Sequence, residues 1–233
     1  MSASAGTVPV PRRGLMAPPR PRGRPFDAAR AAHYPAVIGC DEVGRGALCG
    51  PVVVAAVWFD PAAVPAALIA ELDDSKRLSG RQRERLATLI LASARVAIAA
   101  GSVARIDRDG IRAATLDAMC TAVERLGIDA PAHIDGIDVP AGLAHRAVAL
   151  VGAERLTPQV AASSVVAKVF RDRLIARLSR RYAHYGWERN AGYGTAAHLA
   201  ALAAHGPTPH HRRSFAPVRQ AATAAATVAV PRD

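Results

Sequence analysis

Two adjacent carboxylates, Asp41 and Glu42, stand between a short apolar run and a Gly-Arg-Gly turn at residues 44–46. Residues 51–59 follow as a second apolar run, typical of a buried strand. Acids at a strand end suit a metal site, glycines let a backbone approach a ligand closely, and an arginine offers a fork for phosphate. The combination indicates phosphodiester chemistry. The acid pair alone could equally be a turn with solvated side chains.

A two-metal phosphodiesterase needs several hard oxygen ligands from separate elements, because neighbours on one strand point to opposite faces. Asp41 is the predicted bridging ligand, and the longer Glu42 can reach round the end of its strand. Asp135 ends another short apolar run and is predicted at the same sheet edge. Asp138, which lies in the following loop, is the alternative to Asp135.

The elements that must position these acids alternate between strand and helix patterns. Strands are predicted near residues 36–41, 51–59, 96–104, 131–135 and 146–151, and the first two could form a hairpin. Helices are predicted after a Ser79 cap, over about 108–126, from a Thr157 cap to about 181, and over about 195–205. This mix indicates an α/β fold with a mixed sheet.

Composition narrows the possible partners and compartments. The 233 residues carry a formal net charge of +11, which favours a polyanion such as nucleic acid, although part of the excess could be a solvated tail. Three scattered cysteines suit neither a zinc site nor a disulfide framework and fit the cytoplasm. No apolar run is long enough for a membrane span. Residues 1–33 are predicted to be a disordered basic arm, 34–217 one folded domain, and 218–233 a disordered Ala-rich tail.

Six segments in order carry a further pattern. They are residues 39–50, 74–79 (DSKRLS), 134–136, 161–172 (AASSVVAKVFRD), 192–195 (GYGT) and 206–215, which ends in HRRSF. Over about residues 36–217 they resemble the bacterial ribonuclease HII family of type 2 ribonucleases H. The resemblance implies a ribonuclease-H-like mixed β-sheet flanked by helices, with a small helical C-terminal extension at about 182–217. It also implies an endoribonuclease that hydrolyses the RNA strand of RNA–DNA hybrids and nicks 5′ of single ribonucleotides embedded in duplex DNA. Two divalent ions, Mn²⁺ or Mg²⁺, would serve it.

The resemblance also assigns roles to residues. The expected metal ligands and catalytic residues are Asp41, Glu42, Asp135 and Glu154. The expected substrate-binding residues are Gly44, Arg45, Gly46, Ser75, Lys76, Ser164, Lys168 and Tyr193. The backbone of the Gly-Arg-Gly turn would contact the 2′-hydroxyl that distinguishes RNA from DNA, and Tyr193 would stack on the sugar of the next deoxynucleotide. Lys168 could instead form a simple helix pair with Asp172 four residues on.

The chain departs from the family pattern at two places. Glu154 stands where relatives carry the aspartate of a Lys-Gly-Asp segment, and Asn190-Ala191 replaces a His-Lys pair. These departures leave a catalytically weak or inactive hybrid-binding paralogue as the alternative, and another ribonuclease-H-like nuclease, such as a junction resolvase, as a further one. The cluster His210-His211-Arg212-Arg213 resembles a metal or phosphate site, but a structural or DNA-contacting role is expected for it, and His198 is expected to be incidental. A cytoplasmic monomer is expected.

Overall fold

The computed structural model describes residues 26–228 and contains one five-stranded mixed sheet in the order β3-β2-β1-β4-β5. The strands are β1 Ile38–Val43, β2 Val52–Trp58, β3 Arg95–Gly101, β4 Ala132–Asp135 and β5 Ala147–Leu150. The α-helices are α1 Ala66–Glu71, α2 Gly80–Ser93, α3 Val103–Leu126, α4 Pro158–Ser179, α5 Trp187–Asn190, α6 Ala196–His205 and α7 Ala216–Val228. The predicted α/β class with a mixed sheet is confirmed.

The sheet topology brings the acids to one edge. Strands β1, β2 and β3 pair antiparallel, which confirms the predicted β1–β2 hairpin, whereas β4 and β5 run parallel to β1. The last paired residues of β1 and β4 are Cys40 and Ile134. One step further along both strands lie Asp41 and Asp135. Neighbouring parallel strands lie about 4.8 Å apart, so this register places the two carboxylates side by side.

Helices cover both faces of the sheet. Alternate residues of β2 point to opposite sides: Val53 and Val57 pack in a cluster with α1, α2 and α4, whereas Val54 packs with α3. This alternation is the two-residue period of a strand buried on both faces. Within residues 26–228, no helix is long and apolar enough to cross a membrane.

Local signals end most helices where the sequence predicts. Ser79 and Gln82 form a reciprocal capping box at the start of α2, and Gly127 ends α3 in the left-handed conformation (φ 64°). Thr157 precedes α4, but its side chain makes no capping bond. Thr157 occupies the predicted N-cap position, with a proline next to it at the helix start, but its Oγ1 is 2.9 Å from Nδ1 of His133 on β4, so the hydroxyl joins helix to sheet.

The folded part of the chain extends beyond the predicted domain at both ends. The predicted arm spans residues 1–33, yet Phe26 is buried against the core and meets Tyr34 edge-to-face, with 5.6 Å between ring centroids. Residues 1–25 and 229–233 lie outside the described part. At the other end, α7 continues past the predicted boundary at 217 because Val218 is buried in a C-terminal cluster.

The C-terminal extension is a small helical layer beside the loop that follows β1. Its apolar cluster includes Trp187, Tyr185, Leu202 and Val218, and it contacts that loop through Leu48. The extension therefore packs against the segment that follows Asp41 and Glu42.

Candidate active site

The four predicted metal ligands lie at the rim of the sheet and line one cavity of about 450 Å³. Asp41 and Glu42 come from β1, Asp135 from the end of β4, and Glu154 from the 3-10 turn Ala153–Arg155 just before α4. Every substrate-binding residue that the sequence predicts lines the same cavity. They are Gly44, Arg45, Gly46, Ser75, Lys76, Ser164, Lys168 and Tyr193.

Burial makes the two acids of β1 hard to ionise. Asp41 is 7% exposed, and burial, followed by the charges of Glu42 and Asp135, raises the pKa of Asp41 well above its ordinary value. Burial likewise raises the pKa of Glu42 to about 7, although Arg45, 3.7 Å away, counters part of the shift. Carboxyl groups crowded in this way favour either a proton or a cation.

The other two acids are linked through the backbone. Asp135 Oδ1 accepts a 2.9 Å hydrogen bond from the N–H of Ala153, which fixes the turn that carries Glu154. Burial and the charge of Asp135 raise the pKa of Glu154. Glu154 Oε1 lies 3.5 Å from Nε of Arg155, whereas its Oε2 is buried without a hydrogen-bond partner in the described part of the chain.

This arrangement fits hard divalent cations. The acidic donors are all carboxylate oxygens, the set that Mg²⁺ and Mn²⁺ prefer, and Glu154 Oε2 is a buried acceptor that a cation would satisfy. A cation would also offset the charge repulsion among Asp41, Glu42 and Asp135. Within residues 26–228, no three acidic, His or Cys side chains stand in metal-ligating geometry.

The phosphate-binding candidates come from two separate segments that touch each other. Ser75 Oγ and Ser164 Oγ lie 2.9 Å apart, which joins the 74–79 segment to α4. Lys168, one turn along α4 from Ser164, pairs with Asp172 at 2.8 Å and also lines the cavity. Lys168 therefore forms the ion pair with Asp172 and also lines the cavity, so the ion pair does not exclude a substrate-binding role.

Asp138, the sequence alternative to Asp135, is engaged elsewhere. Both of its carboxylate oxygens accept hydrogen bonds from Arg112, at 2.7 and 3.0 Å. This bidentate pair holds the pKa of Asp138 below its usual range, and Asp138 does not line the cavity with the other acids. The structure favours Asp135.

Two buried arginines hold the loop after β1; sequence reasoning assigned no role to Arg171 and a structural or DNA-contacting one to the cluster that contains Arg212. Arg171 of α4 donates to the carbonyls of Cys49, Pro51 and Ala191 at 2.9–3.2 Å. Arg212 donates to three further carbonyls of the same loop. An HRRSF segment marks Arg212 in the sequence, but its bonding partners lie more than 160 residues away and could not be inferred.

A buried histidine network supports Tyr193, and sequence reasoning missed the part of it that His198 plays. The Trp187 indole N–H donates to His198 Nε2 at 3.0 Å, so that nitrogen is an acceptor and the proton of His198 resides on Nδ1. His198 Nδ1 then donates to the Tyr193 carbonyl at 2.9 Å. His211 Nε2 lies 3.1 Å from His198 Nε2, and burial lowers the pKa of His211 to about 3, which keeps this imidazole neutral. The expectation that His198 is incidental is wrong.

Comparison with known proteins agrees with this geometry. A sequence model of the family described as Ribonuclease HII matches residues 38–218. The chain is 54% identical over 185 residues to Ribonuclease HII of Paramagnetospirillum magneticum, covering 79% of this chain and 92% of that protein. It also superposes on the crystal structure of ribonuclease H2 from Pyrococcus horikoshii OT3 with a TM-score of 0.71 and 25% identity, covering 81% of this chain and 98% of that one.

A third similarity concerns the fold alone. The structure of Bst-RNase HIII in complex with Mn²⁺ matches with a TM-score of 0.67 at 22% identity, over 85% of this chain and 72% of that chain. The family match covers most of the described residues and includes the whole acidic cavity. The chain therefore belongs to the ribonuclease HII family, and it is a metal-dependent endoribonuclease that acts on RNA–DNA hybrids.

Proposed function

We propose that this endonuclease also nicks duplex DNA on the 5′ side of a single embedded ribonucleotide, leaving 3′-hydroxyl and 5′-phosphate ends. The observation that carries the proposal is that the acids, the Gly-Arg-Gly turn and Tyr193 line one cavity. Recognition of an RNA–DNA junction requires a group that reads a 2′-hydroxyl beside one that tolerates only a deoxyribose. The turn and Tyr193 supply such a pair of neighbours.

Four carboxylates would hold two divalent ions, with Asp41 between them and Glu42, Asp135 and Glu154 around them. The chemistry that such ions supply is activation of water and stabilisation of charge on the leaving oxygen. Of the two candidate ions, the Mn²⁺ complex of Bst-RNase HIII supports manganese and the all-oxygen ligand set equally suits magnesium.

The remaining residues would orient the substrate. Lys76 and Lys168 line the cavity beside Ser75 and Ser164, where their charges would attract the phosphates on either side of the scissile bond. Tyr193 is 37% exposed, so its ring is accessible for stacking on a sugar. One chain supplies every residue of the site, which supports a monomer, and the free thiols support the cytoplasm.

The test is a nicking assay with a duplex that contains one ribonucleotide, run in parallel with Mg²⁺ and with Mn²⁺. We expect a single nick on the 5′ side of the ribonucleotide and no cleavage of the all-DNA duplex or of an all-DNA four-way junction. Binding without nicking at high enzyme concentration would favour the hybrid-binding alternative. Cleavage of the junction would favour a resolvase.

The variant Asp41→Asn tests the metal ligands in the same assay. We expect it to abolish cleavage while it spares hybrid binding. Because burial and neighbouring acids disfavour the charged form of Asp41, neutralising this residue should also raise the melting temperature of the metal-free protein. Thermal unfolding in EDTA measures this shift. Retained cleavage would show that Asp41 does not hold the ions.

A further inference from the structure

Arg212 lies fully buried beneath the loop that follows β1. Its guanidinium donates three hydrogen bonds to backbone carbonyls: to Gly44 at 2.7 Å, to Arg45 at 2.8 Å and to Gly50 at 2.9 Å. Within residues 26–228, no carboxylate lies within ion-pair distance of it. The charge is therefore compensated by carbonyl dipoles and by the face of the Phe215 ring, whose centroid lies 5.2 Å from Arg212 Cζ.

Such burial is costly, because a guanidinium removed from water without an anion loses its hydration. Burial, together with the neighbouring charge of Arg171, lowers the pKa of Arg212 to about 10, so the side chain still carries its charge at neutral pH. An apolar residue of similar volume would fill the space at a lower cost. We therefore look for the function of Arg212 in the backbone groups that its hydrogen bonds orient.

Arg212 fixes the orientation of two peptide planes, those that contain the carbonyls of Gly44 and Arg45. In a trans peptide the C=O and the following N–H point to opposite sides, and no peptide bond in residues 26–228 is cis. Because the carbonyls of Gly44 and Arg45 point inward to Arg212, the N–H groups of Arg45 and Gly46 point the other way. Both residues line the cavity, and in the described chain neither N–H has a hydrogen-bond partner.

We propose that Arg212 is a positioning residue for substrate selection: it sets the two peptide planes whose outward N–H groups donate to the 2′-hydroxyl of the ribonucleotide. This inference rests on the proposed function of the same cavity. It also explains the residue type, since one planar fork can bridge three carbonyls and the point charge of a lysine cannot.

Arg171 acts on the other side of the loop. Its side chain lies against Gly44, where an added Cβ would be 2.1 Å from the guanidinium Nε. Arg171 donates to none of the carbonyls of Gly44 and Arg45, and it joins the loop to the Tyr193 segment through Ala191. Of the two arginines, only Arg212 therefore acts on the carbonyls that orient the two outward N–H groups; the N–H of Ala47 also donates to the Gly44 carbonyl, at 3.3 Å, and closes the turn.

The test compares Arg212→Lys with the wild type by fluorescence anisotropy in EDTA, so that no substrate is cleaved. Two duplexes are used that differ only in a single 2′ substituent, hydroxyl or hydrogen. We expect the wild type to prefer the hydroxyl duplex, and the preference to fall about tenfold in Arg212→Lys, the value of one to two hydrogen bonds. Affinity for the all-DNA duplex should change little, because the cavity lysines remain.

Two control variants separate positioning from general stability. Val218→Ala opens a cavity in the same C-terminal cluster without touching a loop carbonyl, and it should lower the melting temperature while it keeps the 2′ preference. Arg213→Lys makes the same chemical change at the next residue, whose side chain is exposed. This variant should keep both the wild-type melting temperature and the wild-type 2′ preference. The inference is overturned if Arg212→Lys keeps the wild-type preference, or if Val218→Ala loses as much preference at an equal loss of stability.

The wild-type protein gives a second test that does not depend on a variant that folds. In its ¹H–¹⁵N spectrum, the amide signals of Arg45 and Gly46 should move downfield with the hydroxyl duplex and not with the all-DNA duplex. Unmoved signals, or a wild-type preference near one, overturn the inference.

A wild type that nicks the ribonucleotide duplex but fails these tests retains the proposed function and loses only the role of Arg212. A wild type that nicks with neither ion fails the proposed function itself.

Discussion

Glu154 is one of the two departures from the family pattern that the sequence resemblance indicates. Its extra methylene, compared with an aspartate, places one carboxylate oxygen next to Arg155 and buries the other. Among the described residues, Oε2 of Glu154 is the only buried carboxylate oxygen without a partner. A divalent ion that binds there must compete with the positive charge of Arg155.

The competition leads to a prediction about Arg155. In Arg155→Ala, the Mg²⁺ concentration that gives half-maximal cleavage should fall roughly two- to fivefold, because a partly buried ion pair of this kind contributes up to about 1 kcal/mol. A titration of initial rate against Mg²⁺ measures the change. Arg189→Ala is the matched control, because Arg189 also pairs with the preceding glutamate, Glu188, at 3.4 Å. This pair is far more exposed than the Arg155–Glu154 pair and lies outside the cavity. An equal change in both variants would contradict a local effect.

At the scale of elements, α6 connects the aromatic cluster of the extension to the cavity. Thr195 caps this helix, and His198 in its first turn donates to the Tyr193 carbonyl. We predict that His198→Ala lowers nicking at a single ribonucleotide about tenfold, and lowers cleavage of a continuous hybrid less, because the role proposed for Tyr193 is to contact the deoxynucleotide. Steady-state rates on the two substrates give the ratio.

Two variants at α6 make this prediction specific. His205→Ala removes an exposed histidine from the same helix, which stacks on His184 and does not contact Tyr193, and should leave the substrate ratio unchanged. His198→Asn, whose amide can replace the Nδ1–H donor, should recover part of the ratio. If His198→Ala and His205→Ala behave alike, Tyr193 does not depend on the histidine network.

The elements were predictable from the sequence to the extent that their causes are local. Apolar alternation located all five strands within a few residues, and the Ser79 cap and Gly127 stop marked helix ends correctly. α1 and α7 were missed: α1 is only six residues long and has no side-chain cap, and α7 lies in the Ala-rich segment that was expected to be disordered. The roles of Arg171, Arg212 and His198 could not be predicted, because each depends on carbonyls that the fold brings from distant or turn segments.

At the scale of the whole molecule, much of the net positive charge lies in a different part of the chain from the cavity. Residues 1–25 contain five arginines and no acid, so they carry five of the eleven net positive charges while the cavity lies entirely within the described domain. Charges that neutralise phosphates increase affinity through counterion release, which does not depend on sequence and weakens with salt. The arm should therefore contribute to how strongly the enzyme binds a duplex and not to which bond it cuts.

A deletion of residues 1–25 tests this separation. Binding to a duplex in EDTA should weaken at low salt, and the slope of log affinity against log salt should fall by up to about 4.5, the value for five phosphate contacts. The cleavage position and the maximal rate at saturating substrate should stay as in the full chain, because no cavity residue is removed. A matched chain in which the five arginines are replaced by glutamine should reproduce the deletion if charge is the cause. An unchanged salt slope would mean that the remaining chain, with its net charge of +6, supplies the electrostatic attraction by itself.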